Sequence, residues 1–298
     1  MPLDLYKNIG NSLDGLTSAL RIAISNADNF NTPGFKYTYA SFTTVYNQVL
    51  APGTETTNPM ELGGSMTLGS TTTDFSQGNI GFGTALDAAI VGDGFFILSK
   101  NTDEFDAQAT KVYTRAGRFQ TDSSQKYLTD SFGRKVFGFK LDEAGNVSSN
   151  ALVPIETDGN SDIGFLDNGI LVANYEKNKA EVAAGNENPT ETVPLYKLAL
   201  TSFQNKQGLI LTQGAALEAT SASGDALNAE ISGGSFGTIS GAKLESSNID
   251  VAKVALDMAL LNRGFSAIQG VIDDVNKIVQ GSQGNTIGSS KWNHIYDP

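Results

Sequence analysis

The sequence predicts an α+β protein: long N- and C-terminal helices forming a coiled-coil-like layer, and a mainly antiparallel β domain between them. Three observations carry this reading. At both ends of the chain apolar residues recur at alternating three- and four-residue steps. Between them lie short strand-like runs separated by turn residues. Charged residues make up only 17%, below the usual quarter, while glycine alone supplies 32 positions.

In the first segment Ile9, Leu13, Leu16, Leu20, Ala23, Ala27 and Phe30 form an unbroken heptad seam. It ends in Asn26-Ala27-Asp28-Asn29-Phe30-Asn31-Thr32-Pro33-Gly34-Phe35-Lys36. There Asn and Asp can bond their own backbone, and Pro and Gly force the chain out of the helix. In the last segment Val251, Val254, Met258, Leu261, Phe265, Ile268, Ile272, Val275 and Val279 repeat the pattern. Asn248 is the expected N-cap, with Asp250 near the positive end of the helix dipole. Gly281 and Gly284 are expected to end this helix, and Gly264 inside it costs about 1 kcal/mol against Ala. The two helices would reach roughly 35–40 Å and 45–50 Å. They read either as members of a globular bundle or as a terminal coiled coil, intramolecular or shared with neighbours; sustained heptads favour the second.

The middle reads as β. Ala88–Val91 precedes Gly92-Asp93-Gly94, a hairpin signal, and Phe95–Leu98 follows as a buried strand. Val112–Arg115, Arg118–Thr121, Lys126–Thr129 and Val136–Phe139 are further short strands, and Leu195–Phe203 and Gly208–Thr212 are late ones. This spacing implies a sandwich or barrel-like domain. Residues 51–84, rich in Thr, Gly and Ser, are expected to be a long loop or an extended arm, and residues 176–194 a polar loop. No simple internal repeat is present. The expected organisation is an assembly helix and Asn-rich turn at 1–36, an extended segment at 37–84, a β-rich domain at 85–240, a second assembly helix at 241–281 and a tail at 282–298.

The 298 residues, 40% of them hydrophobic, allow a core of ordinary size. The net charge is −12, and an acidic surface repels phosphate, so nucleic acid is excluded as a partner. Residues 1–36 balance Lys7, Arg21 and Lys36 against Asp4, Asp14 and Asp28, and residues 243–279 sum to −1. The two ends therefore look like packing surfaces and the middle like a solvated exterior. No cysteine is present, which removes disulfides, thiolate metal sites and thiol catalysis. No stretch of 18 apolar residues exists to span a membrane, and Met1–Leu16 lacks the pattern of a secretory signal. Export, if any, is expected by a route that reads no cleaved signal.

The search for chemistry finds no enzyme. The single histidine, His294, stands near the C-terminus beside Trp292 and Tyr296, and no zinc, P-loop or nucleophile-elbow motif is present. Asp158-x-Asn160-x-Asp162 begins like a calcium loop, but Ile163 stands where Gly is needed and Gly169 where Glu is needed, so a polar turn is the better reading. Ser123-Ser124-Gln125-Lys126 fits S-x-x-K in a turn rather than on a helix, and Gly92-Asp93-Gly94 is too short to cradle phosphate. No catalytic, cofactor-binding or metal residue is expected, and no cofactor.

Five blocks, in order, resemble one family. Ser25–Lys36 is similar to the flagellar rod and hook signature, in which an Asn-rich turn leads into Asn-Thr-x-Gly-Phe-Lys. Phe75-Ser76-Gln77-Gly78 resembles its Phe-x-Gln-Gly segment, Leu86–Phe96 and Tyr113–Phe119 its β-domain core, and Leu244–Val251 the entry to its C-terminal helix. Asp28, Phe30, Gly264 and the tail Ser289–Pro298 depart from the pattern, and residues 150–195 are poorly covered. The resemblance implies a structural subunit of the flagellar axis, most like a distal-rod protein, with the hook protein as the alternative. It implies polymerisation into a helical tube that transmits motor torque, and rod and hook subunits as neighbours. It also implies passage through the flagellar type III export apparatus and residence in the basal body. Terminal segments that become helical on assembly follow from the same source, in keeping with the marginal stability of a lone amphipathic helix. Assembly is then expected to fall to Ile9, Leu13, Leu16, Leu20, Asn26, Asn29, Asn31, Gly34, Val251, Val254, Met258, Leu261, Phe265, Ile268, Ile272 and Val275. Two other readings stay open: a β-domain hydrolase, which needs a convergent pocket with a perturbed carboxylate pair, and a displayed adhesin, which needs an anchor or a secretory signal.

Overall fold

In the computed structural model the chain is α+β, with mainly antiparallel sheets and three α-helices among the described residues: 2–44, 47–51, 60–63, 65–100, 110–157, 159–185, 190–231 and 233–287. It divides into two compact units. One comprises Met1–Ala27, Thr38–Thr72 and Asp250–Pro298, the other Asp28–Tyr37 and Thr73–Ile249.

The first unit is built from helix α1 (Pro2–Asp28), strands β1 (Thr38–Thr44), β2 (Asn47–Ala51), β3 (Met60–Gly63) and β4 (Met66–Thr73), and the C-terminal helix (Val251–Ile287). β1 pairs with β4, and β2 with β3. The Thr- and Gly-rich segment after residue 51 thus holds strands where a loop or arm is expected. Its threonines are β-branched and suit a pleated surface, and pairing is made by backbone that composition does not reveal. Residues 52–59 of that segment lie outside the described residues.

α1 packs on β4. Asn11 Nδ2 donates to Ser65 Oγ at 3.2 Å, Ser12 Oγ accepts from Met66 N at 3.3 Å, and a Cβ on Gly15 would stand 3.2 Å from Thr67 Cα. The two terminal helices also touch each other. Leu16 lies over Gly264, and the Tyr6 hydroxyl donates to Asn276 Oδ1 at 3.2 Å, so the helices run antiparallel. Gly264 weakens the helix locally but gives Leu16, 4% exposed, its seat.

The C-terminal helix starts at Val251, and its cap is Asp250 rather than the expected Asn248. Asp250 Oδ1 accepts from Ala252 N at 2.9 Å, and its carbonyl accepts from Val254 N at 3.0 Å. The helix also continues through Gly281 and Gly284 to Ile287, past its expected end. Glycine inside a helix carries a cost of about 1 kcal/mol, which is a penalty and not a prohibition.

The second unit holds β5 (Ile80–Phe82), β6 (Ala88–Val91), β7 (Phe95–Ser99), β8 (Lys111–Thr114), β9 (Gln120–Thr121), β10 (Leu128–Thr129) and β11 (Phe137–Lys140). It continues with β12 (Val153–Pro154), β13 (Ile163–Leu166), β14 (Ile170–Ala173), helix α2 (Tyr175–Ala183), β15 (Val193–Thr201), β16 (Ile210–Thr212), β17 (Ala216–Glu218), β18 (Glu230–Ile231), β19 (Thr238–Gly241) and β20 (Lys243–Glu245). With this the C-terminal helix is α3. The main sheet runs β12-β11-β15-β7-β8-β17-β16; β14 and β18 also pair with β15, and β13 pairs with β14. Three two-stranded ribbons, β9–β10, β6–β19 and β5–β20, complete the unit.

β7 explains the core. Its run Phe95-Phe96-Ile97-Leu98 is buried on both faces. Phe96 and Leu98 enter one cluster with Ile90, Phe119, Leu128, Val136, Leu198 and Leu200. Phe95 and Ile97 enter a second, with Tyr113, Phe137, Phe139, Phe203 and Leu217 on the other face.

Two further expectations are corrected. Gly92-Asp93-Gly94 does not close a hairpin: β6 pairs with β19, while β7 pairs with β8 and β15. The turn is real, but it carries the chain from one sheet to another. The polar stretch after residue 175 contains α2 rather than only a loop. Asp162 supplies its missing N-terminal acceptor, taking Glu176 N at 2.7 Å and Lys177 N at 3.2 Å.

Candidate functional site: a buried ionic joint

Within the second unit the motif residues that lie far apart in sequence meet at one carboxylate. Glu245, on β20, is fully buried. Its Oε1 accepts from Lys36 Nζ at 2.6 Å and from Gly78 N at 2.9 Å, and its Oε2 accepts from Arg115 Nε at 3.1 Å. Arg115 in turn donates to the carbonyls of Gly92 and Gly94 at 2.8 and 2.9 Å, and Lys36 to that of Ser76 at 2.6 Å. One buried anion is thus shared by two buried cations, each of which also donates to backbone carbonyls, as a charge in the interior requires. Burial pushes the Lys36 ammonium below the usual lysine value, with Glu245 opposing that shift and Arg115 adding to it.

Backbone geometry closes the joint. Gly34 N donates to the Glu245 carbonyl at 2.9 Å, at a φ of +67°, and a Cβ there would stand 2.4 Å from Ala116 N. A Cβ on Gly78 would stand 2.0 Å from the Ser246 carbonyl oxygen. Asn248, free of capping duty, uses its whole amide: Oδ1 accepts from Tyr37 N at 2.8 Å, and Nδ2 donates to Asp74 O at 2.9 Å and Ser76 O at 3.1 Å. Gln77 bridges onward, donating to Ile90 O at 2.8 Å and accepting from Gly92 N at 3.1 Å. The joint thereby ties the segment that follows α1 in the chain to the segment that precedes α3. These residues were visible in the sequence as motif positions, but nothing in one sequence pairs Lys36 with Glu245.

The residues expected to serve assembly fall in several settings. Leu16 is buried, and Ile9, Leu13 and Leu20 are half-buried on α1. Asn26, 1% exposed, pairs through its amide with both backbone groups of Thr38, at 2.8 and 3.0 Å. Asn29 shapes the turn by accepting from Thr32 N at 3.1 Å and Thr32 Oγ1 at 3.0 Å, and Asn31 is exposed. Gly34 belongs to the joint. Val254 is buried, and Met258, Leu261, Phe265, Ile268, Ile272 and Val275 are half-buried along one face of α3, whereas Val251 is exposed. A second apolar stripe on α3 stays open to solvent: Leu256, Leu260, Val271 and Ile278 are between 47% and 71% exposed.

Among the described residues no group of three or more His, Asp or Glu is placed to hold a metal. Asp158 and His294 lie outside them, and Asp162 is engaged at α2. Within the same residues no helix is long and apolar enough to cross a membrane.

The site is a buried ionic joint between backbone segments, and α3 separately carries an open apolar stripe. No protein-family model matches the chain. It is 27% identical over 279 residues to the flagellar basal-body rod protein FlgG of Buchnera aphidicola, covering 90% of this chain and 94% of that one. With FlgG of Bacillus subtilis it shares 26% over 284 residues, covering 93% and 96%. With the flagellar hook protein FlgE of Helicobacter pylori it shares 36% over 136 residues, 42% of this chain; that match spans only 18% of the hook protein's length. The chain is thus similar over most of its length to flagellar rod proteins and over a shorter stretch to flagellar hook proteins.

Proposed function

We propose that this chain is a structural subunit of the bacterial flagellar axis, in the distal rod, and that it polymerises helically to transmit motor torque. The observation that carries this is the end-to-end similarity to rod proteins, 90% of this chain against 94% of one of them. Three motif blocks meeting a fourth at Glu245, through Lys36, Gly78 and Arg115, support it physically, because a shaft subunit must keep the segments next to its terminal helices fastened under load. The open stripe Leu256, Leu260, Val271 and Ile278 supplies apolar surface for neighbouring copies, so that α1 and α3 pack into a coiled-coil-like inner layer. The chain's work is mechanical, with no bond chemistry. It reaches its place through the flagellar export apparatus and contacts rod and hook neighbours in the basal body.

A second reading, a hook subunit, is favoured by the higher identity of the hook match, 36% over 136 residues. Electron microscopy of basal bodies from a strain lacking the gene separates the two. A truncated rod with no hook supports the distal-rod assignment; a complete rod without a hook moves the protein to the hook class. Normal motile flagella would sink both.

A further inference from the structure

Resting on that reading, we propose that Phe82 and Lys243 form a knob that seats in a groove of a second copy of this chain, between Phe139, Val147, Leu152, Ala229, Glu230 and Ile231. Phe82 is 98% exposed, so none of its surface is used within the chain. It stands on the β5–β20 ribbon directly opposite Lys243, for which the structure provides no acidic partner among the described residues. Gly81 and Gly83 flank it, so no neighbouring side chain shields the ring. A fully exposed aromatic ring on a paired ribbon is the form that interface anchors take.

The groove has the complementary character. Its volume is about 660 Å³, and its walls combine the apolar side chains Phe139, Val147, Leu152, Ala229 and Ile231 with Asn150, Asn228 and one carboxylate, Glu230, which also accepts from Ser235. An aromatic ring and a lysine stem fit such a space, and Lys243 brings the opposite charge to Glu230. The two patches differ and belong to different parts of the unit. The ribbon packs against β6, which contributes Ile90 to one core cluster, whereas Phe139, Val147, Leu152 and Ala229 belong to the cluster on the other face of the main sheet. A knob and a groove on separate patches make a heterologous contact, which repeats from copy to copy instead of closing a dimer.

The natural absence of cysteine makes the test direct. Phe82→Cys and Ile231→Cys, introduced together, are expected to give an intermolecular disulfide ladder in oxidised basal bodies, with neither single variant doing so. Phe82→Ala is expected to keep the melting temperature and raise the concentration needed for polymerisation by at least about tenfold. Lys243→Glu and Glu230→Lys are each expected to weaken assembly and to restore it in combination. No ladder, or Phe82→Ala polymerising at the wild-type concentration, or a charge swap no better than its singles, overturns the proposal. The deletion strain reports on the flagellar role independently, so a truncated rod there together with any of these results counts against the knob alone.

Discussion

Lys36 and Glu245 are 209 positions apart in the chain and 2.6 Å apart in space, each with at most 5% of its side chain exposed. Removing the carboxylate strands two buried cations, Lys36 and Arg115, and frees Gly78 N as well. Glu245→Ala is therefore expected to destabilise the β unit by about 3–5 kcal/mol. Lys36→Met should cost clearly less, because Glu245 keeps Arg115 and the Gly78 amide. Urea unfolding followed by tryptophan-independent far-UV dichroism measures both. Equal losses in the two variants would mean that the carboxylate is not the hub.

Gly34 tests the backbone side of the same joint. Its φ of +67° disfavours any L side chain, and a Cβ would press on Ala116 N from 2.4 Å. Gly185 has a φ of +77° with nothing within 4 Å. Gly185→Ala should therefore cost about 1 kcal/mol from conformation alone, and Gly34→Ala distinctly more. The comparison isolates the clash from the dihedral. If both variants melt together, the turn yields and the close approach is not essential.

What the sequence made legible and what it hid divide along one line: local pattern against long-range pairing. The seam Val254 to Val275 was readable because a helix repeats every 3.6 residues, and β7 because Phe95-Phe96-Ile97-Leu98 is apolar on both faces. α2 was not, since Glu176-Lys177-Asn178-Lys179 has no apolar period and its N-terminus is satisfied from Asp162, 14 residues upstream. Gly92-Asp93-Gly94 announced a turn correctly but could not say that β6 would pair with β19, near the far end of the chain. The joint is the extreme case. Lys36, Gly78, Arg115 and Glu245 each sit in a recognisable block, yet their meeting depends on the whole topology.

Asp93 gives the pH dependence. Partial burial pushes its carboxyl up, but the Lys206 ammonium and the Ser202 and Gly94 donors outweigh that and hold it below the ordinary 3.8. A depressed folded value means the unfolded chain binds the proton more readily. The contribution is therefore present above 3.8 and is lost as pH falls below it through the folded value. Because Asp93 is about half exposed, the effect is small, under about 1 kcal/mol. Asp93→Asn should flatten the acid limb of a stability–pH curve and leave the neutral region nearly unchanged. An acid limb identical to wild type would remove Asp93 from the account.

The open stripe of α3 separates folding from assembly. Leu256 and Leu260 are 59% and 54% exposed and lie one turn apart, away from the face that holds Leu261 and Phe265 half-buried. Replacing both with Glu removes apolar surface of which more than half is open to solvent in the isolated chain. Exposed substitutions of this kind usually change stability by no more than about 0.5 kcal/mol each. Leu256→Glu with Leu260→Glu is thus expected to give a chain that melts like wild type yet neither polymerises nor restores motility to a deletion strain. Leu261→Glu, on the half-buried face, should lower the melting temperature itself. Two like-charged residues on neighbouring turns would also repel their counterparts in a stacked copy, so the assembly defect should ease at acid pH as the carboxyls protonate. Full motility in the double variant would show that the stripe faces solvent in the finished axis, and would shift the burden of subunit contact to the β unit.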